Sequence, residues 1–224
     1  MVRLTGVALV TLLVPATALG QRVEIAPLVG WYNPLVEQQF YSRPIASSTD
    51  NIVDSLHARV QPAMSVGLNV GLTFEFFGFE ASFTTSTTRV RQDRGIPAIP
   101  IGVVPVVTFA SARTTQATLR FVVHQRLGNR VTGTLSLGPT LVVLAGDAYE
   151  PSNLQEKSVF GLSAAARLGM TLGQGLRLEF GVTDYAYQLD FGNPWAPSSP
   201  PSVMRSGMQH DLVTSVGLAW APVR

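Results

Sequence analysis

The sequence predicts an all-β fold, an eight-stranded antiparallel up-and-down transmembrane β-barrel preceded by a cleaved signal peptide. Three observations carry that prediction. Beyond residue 21 apolar side chains alternate at period two with small, polar or charged ones, and no stripe of helical spacing appears. The alternation falls into eight segments, each at least as long as the ~9–11 residues a tilted strand needs to cross a bilayer. The connections between segments alternate between very short and long, which gives a meander two unlike ends.

Composition narrows the field in the same direction. The chain has 224 residues, 46% hydrophobic and 13% charged, with no cysteine, 20 glycines and 15 prolines. That length suits one sizeable domain, and the hydrophobicity is too high for a disordered tail. No apolar run after the first twenty residues reaches the roughly 18 that a spanning helix requires. A net charge of +2, carried almost wholly by arginine and spread along the chain, makes no nucleic-acid stripe, and no cofactor motif is present.

Taken in order, residues 1–20 carry one positive charge at Arg3, an apolar stretch from Val7 to Val14, the breaker Pro15 and small residues at Ala18 and Gly20. This is the pattern of a secretory signal peptide, which leaves 21–224 as the barrel. Export without cysteine also excludes a disulfide framework. The strand segments are 22–32, 63–74, 77–88, 113–126, 130–143, 159–172, 176–187 and 209–220. Long loops are expected near 33–62, 89–112, 144–158 and 188–208, and these hold eleven of the fifteen prolines. Pro27 and Pro139 fall inside strands, where a bulge or an early strand end is expected at each.

Turn lengths test the assignment, because antiparallel partners must put like faces together. The apolar set is even in 63–74 (Met64, Val66, Leu68) and odd in 77–88 (Phe77, Phe79, Phe83), which requires an even turn, Glu75-Phe76. The next hairpin keeps its parity with Leu127-Gly128-Asn129, and the third with Gly173-Gln174-Gly175.

The face opposite the apolar one carries glycines, hydroxyls and seven charges: Glu24, Glu80, Arg120, Arg167, Arg177, Glu179 and Asp211. A soluble, lipocalin-like barrel would turn this pattern round, with large apolar residues inside. Against it stand an apolar face nearly free of charge and aromatic residues at segment ends, Trp31, Phe74, Phe77, Phe160 and Trp220, placed like an interfacial girdle. The seven charges are therefore expected inside the lumen as a structural, mutually paired network. Arg167 is expected opposite Gly181 and diagonal to Glu179.

The signal peptide, eight strands, short turns, long loops and final segment together resemble the small OmpA/OmpX-type outer-membrane barrels of bacteria. The resemblance covers 21–224 and is architectural. The last strand matches that family's assembly signal at Ser215, Gly217 and Trp220, followed by Ala221-Pro222-Val223-Arg224 in place of a terminal aromatic. The resemblance implies an exported protein of the bacterial outer membrane, with termini and short turns in the periplasm and the four long loops outside. It implies outer-membrane lipids, lipopolysaccharide and the barrel-assembly machinery as partners of a monomer.

For function, the sequence favours a non-enzymatic barrel, its lumen filled by side chains and its external loops serving structural or surface-interaction roles. The alternatives are a lipid A-modifying enzyme and a small transporter for an apolar solute. No G-x-S-x-G, H-E-x-x-H or cysteine nucleophile is present, and no metal site. His210, near Ser206 and Asp211, is the one histidine an enzyme would use, but Asp211 lies on the opposite face. External arginines, Arg89 and Arg91 among them, share the loops with acids and read as solvated charge. The segment from Ile96 to Phe109 is the most hydrophobic of the mature chain, with Ile99, Ile101, Val103 and Val104 as loop interaction residues. Pro97, Pro100 and Pro105 lead to the expectation of an extended, unpaired loop folded over the barrel mouth.

Overall fold

The computed structural model describes residues 22–44, 53–98, 102–149, 158–189, 203–205 and 207–221. The signal peptide assigned to 1–20, the loop tip with Ile99 and Ile101, and Ser206 lie outside the described residues. Among the described residues there is no α-helix. The strands are β1 (Arg22–Pro34), β2 (Gln39–Pro44), β3 (Val53–Val60), β4 (Ala63–Thr73), β5 (Phe77–Ala98), β6 (Gly102–Arg126), β7 (Val131–Ala145), β8 (Ser158–Gly173), β9 (Leu176–Gln188), β10 (Val203–Arg205) and β11 (Met208–Trp220). A 3₁₀ turn, Asp147–Tyr149, follows β7.

Eight of these close a ring, β1-β4-β5-β6-β7-β8-β9-β11, in which β1 pairs with both β4 and β11 and β5 pairs with β6. Closure removes the free edges that lipid does not tolerate. Outward residues are the large apolar ones, exemplified by Leu68, Phe83, Leu135 and Phe180, all exposed, while Asn69, Ser82, Thr134 and Glu179 on the alternate positions are buried. The exposed face is apolar and the buried face polar, so the barrel is inverted with respect to a water-soluble one and is a transmembrane barrel. Trp31 and Phe160 stand outward at the loop end, and Phe77 and Trp220 at the turn end, where Phe74 stacks on Phe77.

The tight turns follow the parity argument with local adjustments. Phe74 N donates to Phe77 O across Glu75-Phe76, as expected. In the second hairpin Leu127 N donates to Val131 O, so the three turn residues are Gly128-Asn129-Arg130, one position later than the sequence analysis drew them. Parity survives because the shift moves the pairing by an even number. In the third, a register shift between Thr171 and Gly173 shortens the turn to Gln174-Gly175, both at positive φ (43° and 78°) as a two-residue hairpin of this twist demands.

Pro27 and Pro139 produce neither a bulge nor a strand end. The register of β1 against β11 is the same on both sides of Pro27, and that of β6 against β7 is the same on both sides of Pro139. Only the rungs at Ala26 and Pro27, and at Gly138 and Pro139, are missing. The reason lies in the ladder phase. Leu35 N donates to His210 O, and counting rungs down from that bond puts Pro27 opposite Leu218 in a bonded pair. The bond from Leu127 N likewise puts Pro139 opposite Leu119. Each proline omits one N–H in an otherwise continuous ladder.

The largest departure is at 89–112, which is not a loop. β5 and β6 stay paired in one unbroken register from Phe77↔Val123 to Ala98↔Gly102 and rise beyond the barrel as a hairpin. His124 N donates to Phe76 O, so bonded pairs of this hairpin involve even-numbered residues, and Pro97↔Val103 and Gly95↔Pro105 are both non-bonded pairs. Neither proline removes a hydrogen bond between the two strands, so both are accommodated. The expectation of an unpaired segment is thereby corrected. Ile96, Val103 and Val104 sit within this pairing; their side chains lie outside the described residues, and with them the proposed cap. β3 pairs with β5, β2 with β3 and β10 with β2, so the hairpin belongs to an external sheet. β3 continues into β4 through an extra residue near Gln61-Pro62: Val60 opposes Val90 but Ser65 opposes Ser86. This bulge switches parity and keeps both Val60 and Ser65 facing inward.

Candidate functional site

The lumen is built in layers. At the turn end a mouth of about 930 Å³ opens between the hairpin turns, with Arg22, Arg126 and Arg130 on its rim and Arg177 at its floor. Above it six charged residues from five strands meet. Arg177 binds Glu24 at 2.7 Å and Glu179 at 2.6 Å. Glu179 stands 3.8 Å from Arg167, which binds Glu80 at 2.5 Å, and Glu80 in turn binds Arg120 at 2.8 Å. Three acids and three bases thus alternate in one chain, Glu24–Arg177–Glu179–Arg167–Glu80–Arg120, and their formal charges cancel. The free space among them is about 20 Å³, the scale of a single water site.

Backbone geometry makes this cluster feasible. Arg167 lies opposite Gly181, and a Cβ placed on that glycine would stand 2.7 Å from Arg167 Cγ, so the glycine is what lets the arginine stem cross its neighbour. Gly169 plays the same part beneath Arg177, whose Cδ would be 2.5 Å from a Cβ there. His124, near the same end, is half-buried with Nδ1 3.3 Å from Thr134 Oγ1.

Above the charges comes a layer of hydroxyls and amides. Thr84 meets Tyr185 at 3.3 Å and Thr118 meets Thr140 at 3.5 Å, while the amide of Gln116 is fully buried with no hydrogen-bond partner among the described residues. The outermost layer is apolar and aromatic: Val60, Val90, Val142, Leu144 and Val213 cluster with Tyr32, Tyr149, Tyr185 and Tyr187.

Asp211 belongs to this last layer and is not part of the arginine network expected from the sequence. Its Oδ2 accepts hydrogen bonds from Tyr187 at 2.7 Å and Tyr32 at 2.9 Å. The cause is height along the strand. Asp211 pairs with Tyr185 on β9, six residues beyond Glu179, so it shares the face of the charges but lies well above them. Tyr149, in the external turn, donates to Gln38 at 2.9 Å, and burial pushes its phenol well up from the ordinary value.

The outer surface contains a pair that sequence reasoning missed. His210 faces outward, as expected, and its partner is Asp184 of β9, also outward, at 3.0 Å from Nδ1. The signal was present, since Asp184 has the parity of Val182 and Phe180, but the pairing of β9 with β11 was needed to bring it beside His210. Among the described residues His210 contacts no hydroxyl or thiol. External arginines are partly consumed: Arg59 reaches Glu37 at 3.4 Å and Arg91 reaches Asp93 at 2.8 Å. Ser215, Gly217 and Trp220 lie in β11, with Gly217 against Leu28 and Trp220 against Leu176.

No protein-family model matches this chain and no curated protein matches it in sequence. In three dimensions it is similar to the outer membrane protein OprG of Pseudomonas aeruginosa, at 10% identity and a TM-score of 0.53, over 90% of this chain and 95% of that one. It is also similar to Neisserial surface protein A, at 10% identity and a TM-score of 0.51, over 90% of this chain and 96% of that one. The fold is that of the small bacterial outer-membrane β-barrels.

Proposed function

We propose that the protein is a non-enzymatic integral barrel of the bacterial outer membrane, its lumen plugged by its own side chains, presenting the external sheet of β2, β3, β5, β6 and β10 for structural or surface-interaction roles. The observation that carries this reading is the six-membered ion-pair chain across the lumen, closed above by the tyrosine layer. An eight-stranded barrel is only wide enough for its own side chains, and a neutral cluster in which each charge has an opposite partner offers no free charge to a passing ion. An apolar solute would have to cross the charged layer, which disfavours transport through the lumen. Outer-membrane lipids and lipopolysaccharide contact the wall, and the assembly machinery reads Ser215, Gly217 and Trp220. The barrel acts as a monomer, without cofactor. Planar-bilayer recording tests the plug: the wild-type protein gives no unitary steps, and reproducible channel currents at neutral pH would refute it.

The lipid A-modifying alternative gains one specific observation, the Asp184–His210 pair on the wall. That pair has the base and its orienting carboxylate but, among the described residues, no nucleophile beside it. Lipid A of unchanged mass in cells with and without the protein is the expected outcome, and a lost or gained acyl chain would overturn the non-enzymatic reading.

A further inference from the structure

We infer that the mouth at the turn end of the lumen is a binding site for a small soluble polyanion bearing phosphate groups, held by Arg22, Arg126 and Arg130. The inference adds a site to the barrel and rests on its closed ring, not on the role of the external sheet. Strand period puts the three arginines on the lumen side of the wall. Arg22 stands two residues before Glu24 on β1, Arg126 two residues after His124 on β6, and Arg130 two residues before Thr132, in the turn that leads into β7. All three line one open cavity of about 930 Å³. Two of their backbones are tied to neighbouring strands at its rim, since Thr73 Oγ1 donates to Arg22 O at 3.1 Å and Thr171 N donates to Arg130 O at 2.8 Å. Arginines on the lumen side meet axial solvent and not the lipid around the wall, which selects a soluble ligand over a lipid headgroup.

Charge and shape give the ligand class. Arg22, Arg126 and Arg130 are exposed, and none of them makes an ion pair among the described residues. Glu24, on the same cavity wall, is already held by Arg177 at 2.7 Å. Among the described residues that leaves Glu75, in the first hairpin turn, as the one carboxylate of the wall outside the ion-pair network. Three guanidinium groups against one carboxylate make an excess of two positive charges, and arginine keeps its charge at any working pH. The sign holds for either form of His124, since its protonation only adds to the excess. A phosphate brings up to two negative charges and three acceptor oxygens to one point, so guanidinium groups from separate strands can share it, whereas a carboxylate brings one charge and two oxygens. The floor stops the ligand at the mouth, because Arg177 is bound by both Glu24 and Glu179 and only about 20 Å³ lies free in the charged layer. A blind recess lined by one sign of charge concentrates anions of the other.

The test titrates pyrophosphate into the full mature protein in phosphatidylcholine nanodiscs and follows binding by calorimetry. Saturable one-to-one binding that weakens as salt is raised is expected. Arg22→Ser, Arg126→Ser and Arg130→Ser each weaken it about fivefold, the scale of one exposed charge interaction, and Glu75→Gln tightens it about threefold. Arg89→Ser, which removes the same charge from the loop end, leaves the affinity unchanged, and heat-modifiable gel migration reports the folding of every variant. Malonate, a dicarboxylate of similar size, binds about tenfold more weakly than pyrophosphate. No pyrophosphate binding by the wild type, equal losses in Arg89→Ser and the mouth variants, or malonate binding as tight as pyrophosphate overturns the site. A second arm separates the soluble ligand from a lipid, using nanodiscs with a small fraction of phosphatidylglycerol and native mass spectrometry of the retained lipid. Wild type and the Arg22→Ser/Arg126→Ser/Arg130→Ser barrel should retain the same amount. Loss of phosphatidylglycerol together with the three arginines overturns the soluble ligand in favour of a headgroup.

Discussion

Replacing Glu80 with alanine is the most demanding test of the lumen network. Glu80 is buried and holds two arginines at once, Arg120 at 2.8 Å and Arg167 at 2.5 Å. Arg120 is only 2% exposed, its Nε and Nη1 lack partners among the described residues, and among these the Nη2 bond to Glu80 is its one ion pair. Arg167 keeps a second carboxylate, Glu179, but at 3.8 Å. Removing one member of a buried pair costs about 3–5 kcal/mol because a charge is left uncompensated. Here the full cost falls on Arg120 and a fraction on Arg167, which puts the loss at the upper end of that range. Equilibrium urea unfolding of the barrel in lipid vesicles, followed by tryptophan fluorescence and by the folded band on a cold gel, measures it. The companion Glu80→Ala/Arg120→Met barrel removes both charges and should recover most of the loss, since replacing a whole buried pair with apolar volume is close to neutral. A loss under 1 kcal/mol for Glu80→Ala, or strict additivity in the double variant, would refute the account of the lumen as a coupled network.

Three further outcomes follow from the same geometry. Gly181→Val puts a branched side chain where a Cβ alone would be 2.7 Å from Arg167 Cγ, and overpacking of this kind costs about 1–3 kcal/mol, read as a lower urea midpoint; an unchanged midpoint would mean that Arg167 has another route across the wall. Tyr187→Phe removes the 2.7 Å bond to the buried Asp211 carboxylate and should cost about 1.5–3 kcal/mol, whereas Asp211→Asn with both tyrosines intact should cost less, and the reverse order would show that the tyrosines do not hold a charge. Pro139→Val supplies the N–H missing opposite Leu119 and should raise stability by about 1 kcal/mol, while Pro105→Val, in a non-bonded pair of the external hairpin, should leave it unchanged; equal effects at the two sites would sink the ladder-phase argument.

Faces were legible in the sequence because a strand's period is two: every residue from Ser65 to Leu72, or from Phe77 to Ser86, falls on the side its parity dictates. Arg167 opposite Gly181 was legible as well, because the three-residue turn drawn at Gly173-Gln174-Gly175 gives the same strand register as the observed two-residue turn combined with the shift between Thr171 and Gly173. What parity does not carry is height. Asp211 and Glu179 share a face, yet one sits among tyrosines and the other among arginines, and only the pairing of β9 with β11 separates them. The apolar outer layer escaped for a related reason. Val90, Ala112 and Leu144 have lumen parity but lie just past the ends drawn for segments 77–88, 113–126 and 130–143, where polar inward residues had already given way to apolar ones. A switch of inward character along one strand marks where the lumen stops being wet, and it is readable once strand ends are not placed at that switch. The Asp184–His210 pair needed more, the register of two strands joined through a long connection, which turn length does not fix.

The prolines show most directly what separates a composition rule from a structural one. Proline in a sheet is costly only where its nitrogen would have donated, so its cost depends on ladder phase, a property of the pair and not of the residue. Pro97 and Pro105 fall on odd positions of β5 and β6, where the bond from His124 to Phe76 assigns the inter-strand bonds to even ones. They are silent within the hairpin but act on its outer sides: β3 pairs with β5 only as far as Gly95, two residues short of Pro97. Odd residues of β6 direct their N–H toward the β7 side, as Leu127 does, so Pro105 leaves a gap on the hairpin edge that extends past the end of β7. Edge strands blunted in this way resist pairing with another chain. The same residues that argued against a strand are thus placed to permit one hairpin and limit its neighbours, which is why a long β-ribbon, apolar along its β6 arm, can stand outside the barrel without extending its own sheet further.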